Sequence, residues 1–80
     1  MVVMVRVAVE SSTMVSVGYE KKGKILEIEF TSGAVYQYSA VPAAVHKALM
    51  QAESKGRYFN SEIRDTYNYL PVGRARAARR

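Results

Sequence analysis

The sequence predicts an α+β fold, a three-stranded antiparallel β-meander with one longer and one shorter helix packed on a single face. Three observations carry this. Apolar and polar residues alternate through Leu26-Glu27-Ile28-Glu29-Phe30, the period of two of a strand with one buried face. Turns on either side, Glu20-Lys21-Lys22-Gly23 and Thr31-Ser32-Gly33, permit hairpins whose pairings agree on the same buried face. From Val41 onward the apolar spacing changes to three and four, the signature of an amphipathic helix.

Residues 1–10 open with Met1 to Val9, MVVMVRVAV, a valine-rich stretch that favours a strand or extension. It is too short to span a bilayer, is interrupted by Arg6, and lacks the charged start and cleavage site of a signal peptide, so a cytoplasmic location is expected. Left unpaired, it would be a sheet edge that invites self-association. Ser11 to Tyr19 reads as the first strand of the meander, with Val15 and Val17 on the buried face. A loop over Glu20–Gly23 then pairs Tyr19 with Lys24, Val17 with Leu26 and Val15 with Ile28.

The second turn decides where the tyrosines go, because a slip of one residue sends every side chain to the opposite face. Ser32 is a poor residue for positive φ, which disfavours a two-residue loop. With Gly33 left-handed in a three-residue loop, Phe30 pairs with Ala34, Ile28 with Tyr36 and Leu26 with Tyr38. Tyr36 and Tyr38 then join the core, and Gln37 joins Glu27 and Glu29 outside.

Pro42 suits a helix start, and Val41, Val45, Ala48, Leu49 and Ala52 make one apolar stripe from which His46 and Lys47 are excluded. Gly56 is placed to end this helix in a left-handed cap, and Asn60 to cap a short helix containing Ile63 and Tyr67. The domain is expected over residues 11–70, with 71–80 a disordered basic tail.

Eighty residues make one domain with room for one core. The absence of cysteine excludes disulfides and thiolate metal sites. A net charge of +5 points toward nucleic acid, but Arg74, Arg76, Arg79 and Arg80 carry much of it; residues 1–73 hold 8 basic and 7 acidic groups, a net of +1. Such a tail is either a solvated end or a phosphate-contacting arm.

Ser11-Ser12, Val17-Gly18-Tyr19, Phe30, Ser32-Gly33, Tyr36-Gln37-Tyr38, Val41-Pro42, Ser54-Lys55-Gly56-Arg57-Tyr58-Phe59-Asn60 and Ile63-Arg64 stand in an order that resembles the KTSC domain family. That family is named for its occurrence at the C-terminus of some lysyl-tRNA synthetases and also forms small stand-alone bacterial proteins. The resemblance spans about Val9 to Tyr69. It implies a small binding domain with no catalytic residues to carry over, and its synthetase context suggests RNA.

The residues themselves argue against an enzyme. His46 is the only histidine and has no nucleophile or metal-ligand partner at a telling spacing. Glu27 and Glu29 read as a solvated sheet face that repels phosphate, which disfavours a sheet platform for RNA. No cofactor or metal is expected. The surface best suited to RNA, transfer or ribosomal, comprises Lys55, Arg57, Tyr58 and Arg64, with Tyr67 and Tyr69 available for stacking and Arg74 and Arg76 adding charge. The competing reading packs Tyr58 and Phe59 under the second helix and leaves Arg64 to pair with acids or cap carbonyls. The alternative function is a protein-interaction or self-associating module, suggested by the valine-rich start and exposed strand edges.

Overall fold

Leu26 and Ile28 are fully buried and Glu27 and Glu29 lie on the opposite face of their strand, as the alternation requires. The computed structural model describes residues 5–74. Strands β1 (Arg6–Ala8), β2 (Met14–Glu20), β3 (Ile25–Phe30), β4 (Ala34–Tyr38) and β5 (Tyr69–Arg74) form one antiparallel sheet in chain order. The sheet therefore has five strands where the sequence predicts three. The two additions lie at its edges. β1 falls in the valine-rich start that favours a strand, and it extends the sheet by pairing with β2, Arg6 opposite Gly18 and Ala8 opposite Ser16.

β5 includes Pro71 and Gly73, residues that argue against a strand when read locally. Proline is tolerated because β5 is an edge, and the ladder to β4 shifts between Val35 and Tyr36. Residues 71–74, expected to begin the tail, instead belong to the sheet. Residues 1–4 and the tail arginines Arg76, Arg79 and Arg80 lie outside the described residues.

The β3–β4 hairpin has the predicted register, Ile28 opposite Tyr36 and Leu26 opposite Tyr38, and Gly33 has a φ of 97°. The β2–β3 hairpin differs. Its loop is Lys21–Lys24, and Lys24, not Gly23, takes the left-handed conformation at a φ of 56°. Glu20 Oε1 accepts a hydrogen bond from the Gly23 amide at 2.6 Å, which closes the turn one residue later than expected. Tyr19 therefore faces Leu26 and Val17 faces Ile28. The shift is by two residues in total, so the buried face is preserved. An irregularity between Met14 and Ser16 then turns Val15 outward, 41% exposed, and brings Met14 into the core at 1%.

Helix α1 (Ala43–Gln51) lays Val45 and Leu49 on the sheet, with Val41 buried just before it. Tyr19 secures its start by donating its hydroxyl to the Val41 carbonyl. Ala52, in extended backbone, ends the helix, so Gly56 is not its cap. Gly56 lies inside the short helix α2 (Lys55–Tyr58), whose cap is Ser54, accepting from the Arg57 amide at 3.3 Å. A π-helical turn, Phe59–Ile63, continues α2 and buries both of its end residues; Asn60 lies within it and is not a cap. The core joins Met14, Val17, Leu26, Ile28 and Tyr38 of the sheet to Val41, Leu49, Phe59 and Ile63.

Candidate functional site

The segment before β2 and the turn before β4 are tied together. The Ser11 hydroxyl accepts from the amides of Thr13 (3.0 Å) and Met14 (3.3 Å), which curls the chain so that the strand begins at Met14 and not at Ser11. The Thr13 carbonyl then accepts from the Thr31 amide at 2.9 Å, and the Thr31 hydroxyl donates to the Ser12 carbonyl at 3.4 Å. Ser12 and Thr13 so form a ridge with a cleft on each side.

The first cleft has a volume of about 710 Å³ and a floor of Phe30, Tyr36, Tyr38, Phe59 and Tyr69. The rings interlock: Tyr38 meets Phe59 and Tyr69, each at a centroid distance of 5.5 Å, and Tyr36 meets Tyr69 at 5.1 Å. Tyr69 is 52% exposed, whereas Tyr38 is 3% exposed. Arg64 and Asp65 stand at the rim. They are brought there by the π-helical turn, in which the Arg64 amide donates to the Phe59 carbonyl at 2.9 Å. Burial first, then the neighbouring Tyr69 and Tyr36, push the Tyr38 hydroxyl up to about 12, while Arg64 opposes them. Tyr38 is thus a neutral hydrogen-bond donor across the physiological range.

Lys55 and Arg57 line the second cleft, together with Glu10, Glu53 and Asn60. Lys55 donates its ammonium to the Ala52 carbonyl at 3.2 Å, while Arg57 is exposed. Tyr58 and Tyr67 are half-buried and pack against the core, so they do not present free faces. Arg74 ends β5 opposite Ala34. Of the residues singled out by sequence, Arg64 and Tyr69 come together, Lys55 and Arg57 form a neighbouring group, and Tyr58 and Tyr67 belong to the packing. Sequence reasoning missed Asp65 and the cleft role of Phe30, Tyr36, Tyr38 and Phe59. The Tyr-Gln-Tyr alternation was a signal for these rings, but it reads equally as core.

The opposite sheet face carries an internally matched polar group, beside Val35 and Leu70. The register sets Arg6, Gly18, Glu27 and Gln37 in one row across neighbouring strands. With no side chain at Gly18, Arg6 reaches Glu27 at 3.2 Å and Glu29 at 4.0 Å. Gln37 donates to Glu27 at 2.8 Å and Ser16 to Glu29 at 2.9 Å. The two carboxylates are engaged there. Among the described residues no group of histidine, aspartate and glutamate side chains could hold a metal ion, and no helix is long and apolar enough to cross a membrane.

The KTSC domain family model matches residues 10–67 of the chain. An uncharacterized protein from Stutzerimonas stutzeri is 54% identical over 70 residues, covering 86% of this chain and 99% of its relative. A lysine–tRNA ligase from Nostoc punctiforme is 42% identical over 60 residues, 75% of this chain but 11% of the ligase. The crystal structure of a KTSC domain protein from Yersinia pestis superposes with a TM-score of 0.86 at 38% identity, covering 89% of this chain and all of the other.

Proposed function

The chain belongs to the KTSC domain family, and on that footing we propose that it is a non-enzymatic module that binds unpaired RNA in the cleft between the Ser12–Thr13 ridge and β5. The observation that carries this is Tyr69, half-exposed on an edge strand above a floor of four further aromatic rings, with the Arg64 guanidinium at the rim. Exposed aromatic faces accept stacked bases at about 1–3 kcal/mol per base, and arginine adds charge for the backbone. Arg57 and Lys55, across the ridge, extend the path that phosphates would follow. The relation to a segment of lysine–tRNA ligases supports the same reading, because those enzymes handle an RNA. The intracellular location expected of such a module is part of this proposal.

The test is a fluorescence titration of bulk tRNA with the full chain at several salt concentrations. Affinity should fall with salt, by a log–log slope of about −0.7 per single-strand phosphate contacted. Arg64→Ala should weaken binding without lowering the melting temperature, since its side chain is exposed, whereas Tyr69→Ala should weaken binding and also cost some stability, since its ring packs on Tyr36 and Tyr38. Replacing Arg76, Arg79 and Arg80 by glutamine separates the cleft from the tail: binding that vanishes with those charges alone would refute the cleft.

A second reading is self-association through the sheet edges, favoured by Val7 on β1 (56% exposed) and Leu70 on β5 (64%). Sedimentation showing a monomer at high concentration would exclude it.

A further inference from the structure

Tyr38 offers the cleft a hydroxyl that the protein does not use. Its ring is among the most buried in the molecule, yet its hydroxyl makes no hydrogen bond within the described residues. The oxygen is not sealed off. Among the described residues, Arg6 Nη1, which is ion-paired with Glu27, is the sole buried side-chain polar atom without a hydrogen bond, so the Tyr38 oxygen meets the cleft it lines. Asp65 stands at the rim of the same cleft and forms no ion pair or hydrogen bond through its side chain among the described residues. A carboxylate there would repel a phosphate. It would attract a group that presents N–H donors.

We propose that the cleft reads the edge of one unpaired base, and that this base is guanine, with Asp65 accepting from its ring and exocyclic N–H groups, Tyr38 donating to its carbonyl oxygen, and Tyr69 stacking on its face. The assignment follows from donor and acceptor patterns. A carboxylate offers acceptors only, and the Watson–Crick edge of guanine presents two adjacent N–H donors beside a carbonyl acceptor. Adenine offers a ring nitrogen acceptor in the place of one of those donors, which would face the carboxylate unfavourably. The high pKa of the Tyr38 hydroxyl keeps its proton in place for donation. This inference rests on the RNA reading of the cleft.

The experiment is fluorescence anisotropy with two labelled oligouridines, one carrying a single central guanosine and the other a single central adenosine, titrated with the full chain. The guanosine oligomer should bind about tenfold tighter or better. Asp65→Asn should remove most of that preference, and Tyr38→Phe should weaken the guanosine oligomer several-fold while leaving the melting temperature unchanged, because the lost hydroxyl bonds nothing in the protein. Equal, salt-dependent binding of both oligomers would overturn the base assignment and leave RNA binding standing. A lack of binding to either would overturn both. Unchanged affinity in Tyr38→Phe would remove the hydroxyl from the site.

Discussion

Gly56 and Thr13 touch with no room between them: a methyl group on Gly56 would lie 2.5 Å from Thr13 Oγ1 and 3.2 Å from its Cβ. This contact seats α2 against the ridge that separates the two clefts, and it is why glycine occupies a helical position where it is otherwise disfavoured by about 1 kcal/mol relative to alanine. Overpacking of this kind costs about 1–3 kcal/mol, which exceeds the propensity gain. Gly56→Ala should therefore lower the melting temperature by several degrees, about 4–8 °C per kcal/mol in a domain of this size. Adding Thr13→Ala should recover much of the loss, since the two substitutions share one contact.

The rings of Tyr19 and His46 stack with centroids 4.7 Å apart and planes at 8°. Burial lowers the pKa of His46 below its ordinary 6.5, so folding favours the neutral ring. The unfolded chain then takes up the proton first as pH falls, and it binds more protons than the folded state below that value. Stability from this site is complete above about pH 7 and declines as pH drops through 6.5 toward the depressed folded value. Thermal melts of the wild type and of His46→Phe at a series of pH values check this; the wild type should lose stability over that interval and the variant should be flatter.

Arg6 is the cation that neutralises Glu27 and Glu29 on the open sheet face, and it joins β1 to the rest of the sheet. Its contact to Glu27 is ionic, since Nη1 is not aligned for a hydrogen bond. Arg6→Ala leaves two half-buried carboxylates side by side and should destabilise by about 1–2 kcal/mol, a value discounted because the guanidinium is partly solvated. Urea denaturation measures the loss. Raising the salt concentration should narrow the gap between variant and wild type, as screening weakens the remaining repulsion.

Lys24 and Ala40 both adopt a φ of 56°, a conformation that strains a residue with a Cβ by about 1–2 kcal/mol. The turn at Lys24 and the bend at Ala40 are held together by the Val41 amide, which donates to the Lys24 carbonyl at 2.9 Å. Lys24→Gly should raise stability by about 0.5–1 kcal/mol, the strain relieved less the added entropy of the unfolded chain. A melting temperature that falls in this variant would show that the lysine side chain contributes more than its backbone costs.

Local chemistry made some of this legible. The alternation over 26–30, the left-handed Gly33 and the helical stripe from Val41 to Leu49 each follow from nearest neighbours along the chain, and each stands in the structure. The other hairpin did not yield to the same reasoning. Its loop, expected over Glu20–Gly23, lies one residue later, with Lys24 at positive φ and the Glu20 carboxylate binding the Gly23 amide. Val15 and Met14 exchanged roles through a strand irregularity that no periodicity announces.

What the sequence determined by itself was the α+β class, the central hairpin with both tyrosines on the helix-bearing face, and membership of one family, because these rest on local periodicity and on motifs in a given order. The last edge strand, the partner of the first, and the cleft were decided only by tertiary structure. Arg6–Ala8 lies in a stretch whose valines favour a strand, but its partner is set by the fold, and Tyr69–Arg74, with Pro71 and Gly73, becomes a strand against its local preferences through pairing with β4. Pairing β5 with β4 is what sets Tyr69 over Tyr38 and Tyr36, and the π-helical turn is what brings Arg64 and Asp65 to the same rim. Contacts across more than thirty positions of chain depend on where every intervening turn leaves the backbone, and no pattern in the residues themselves encodes that sum.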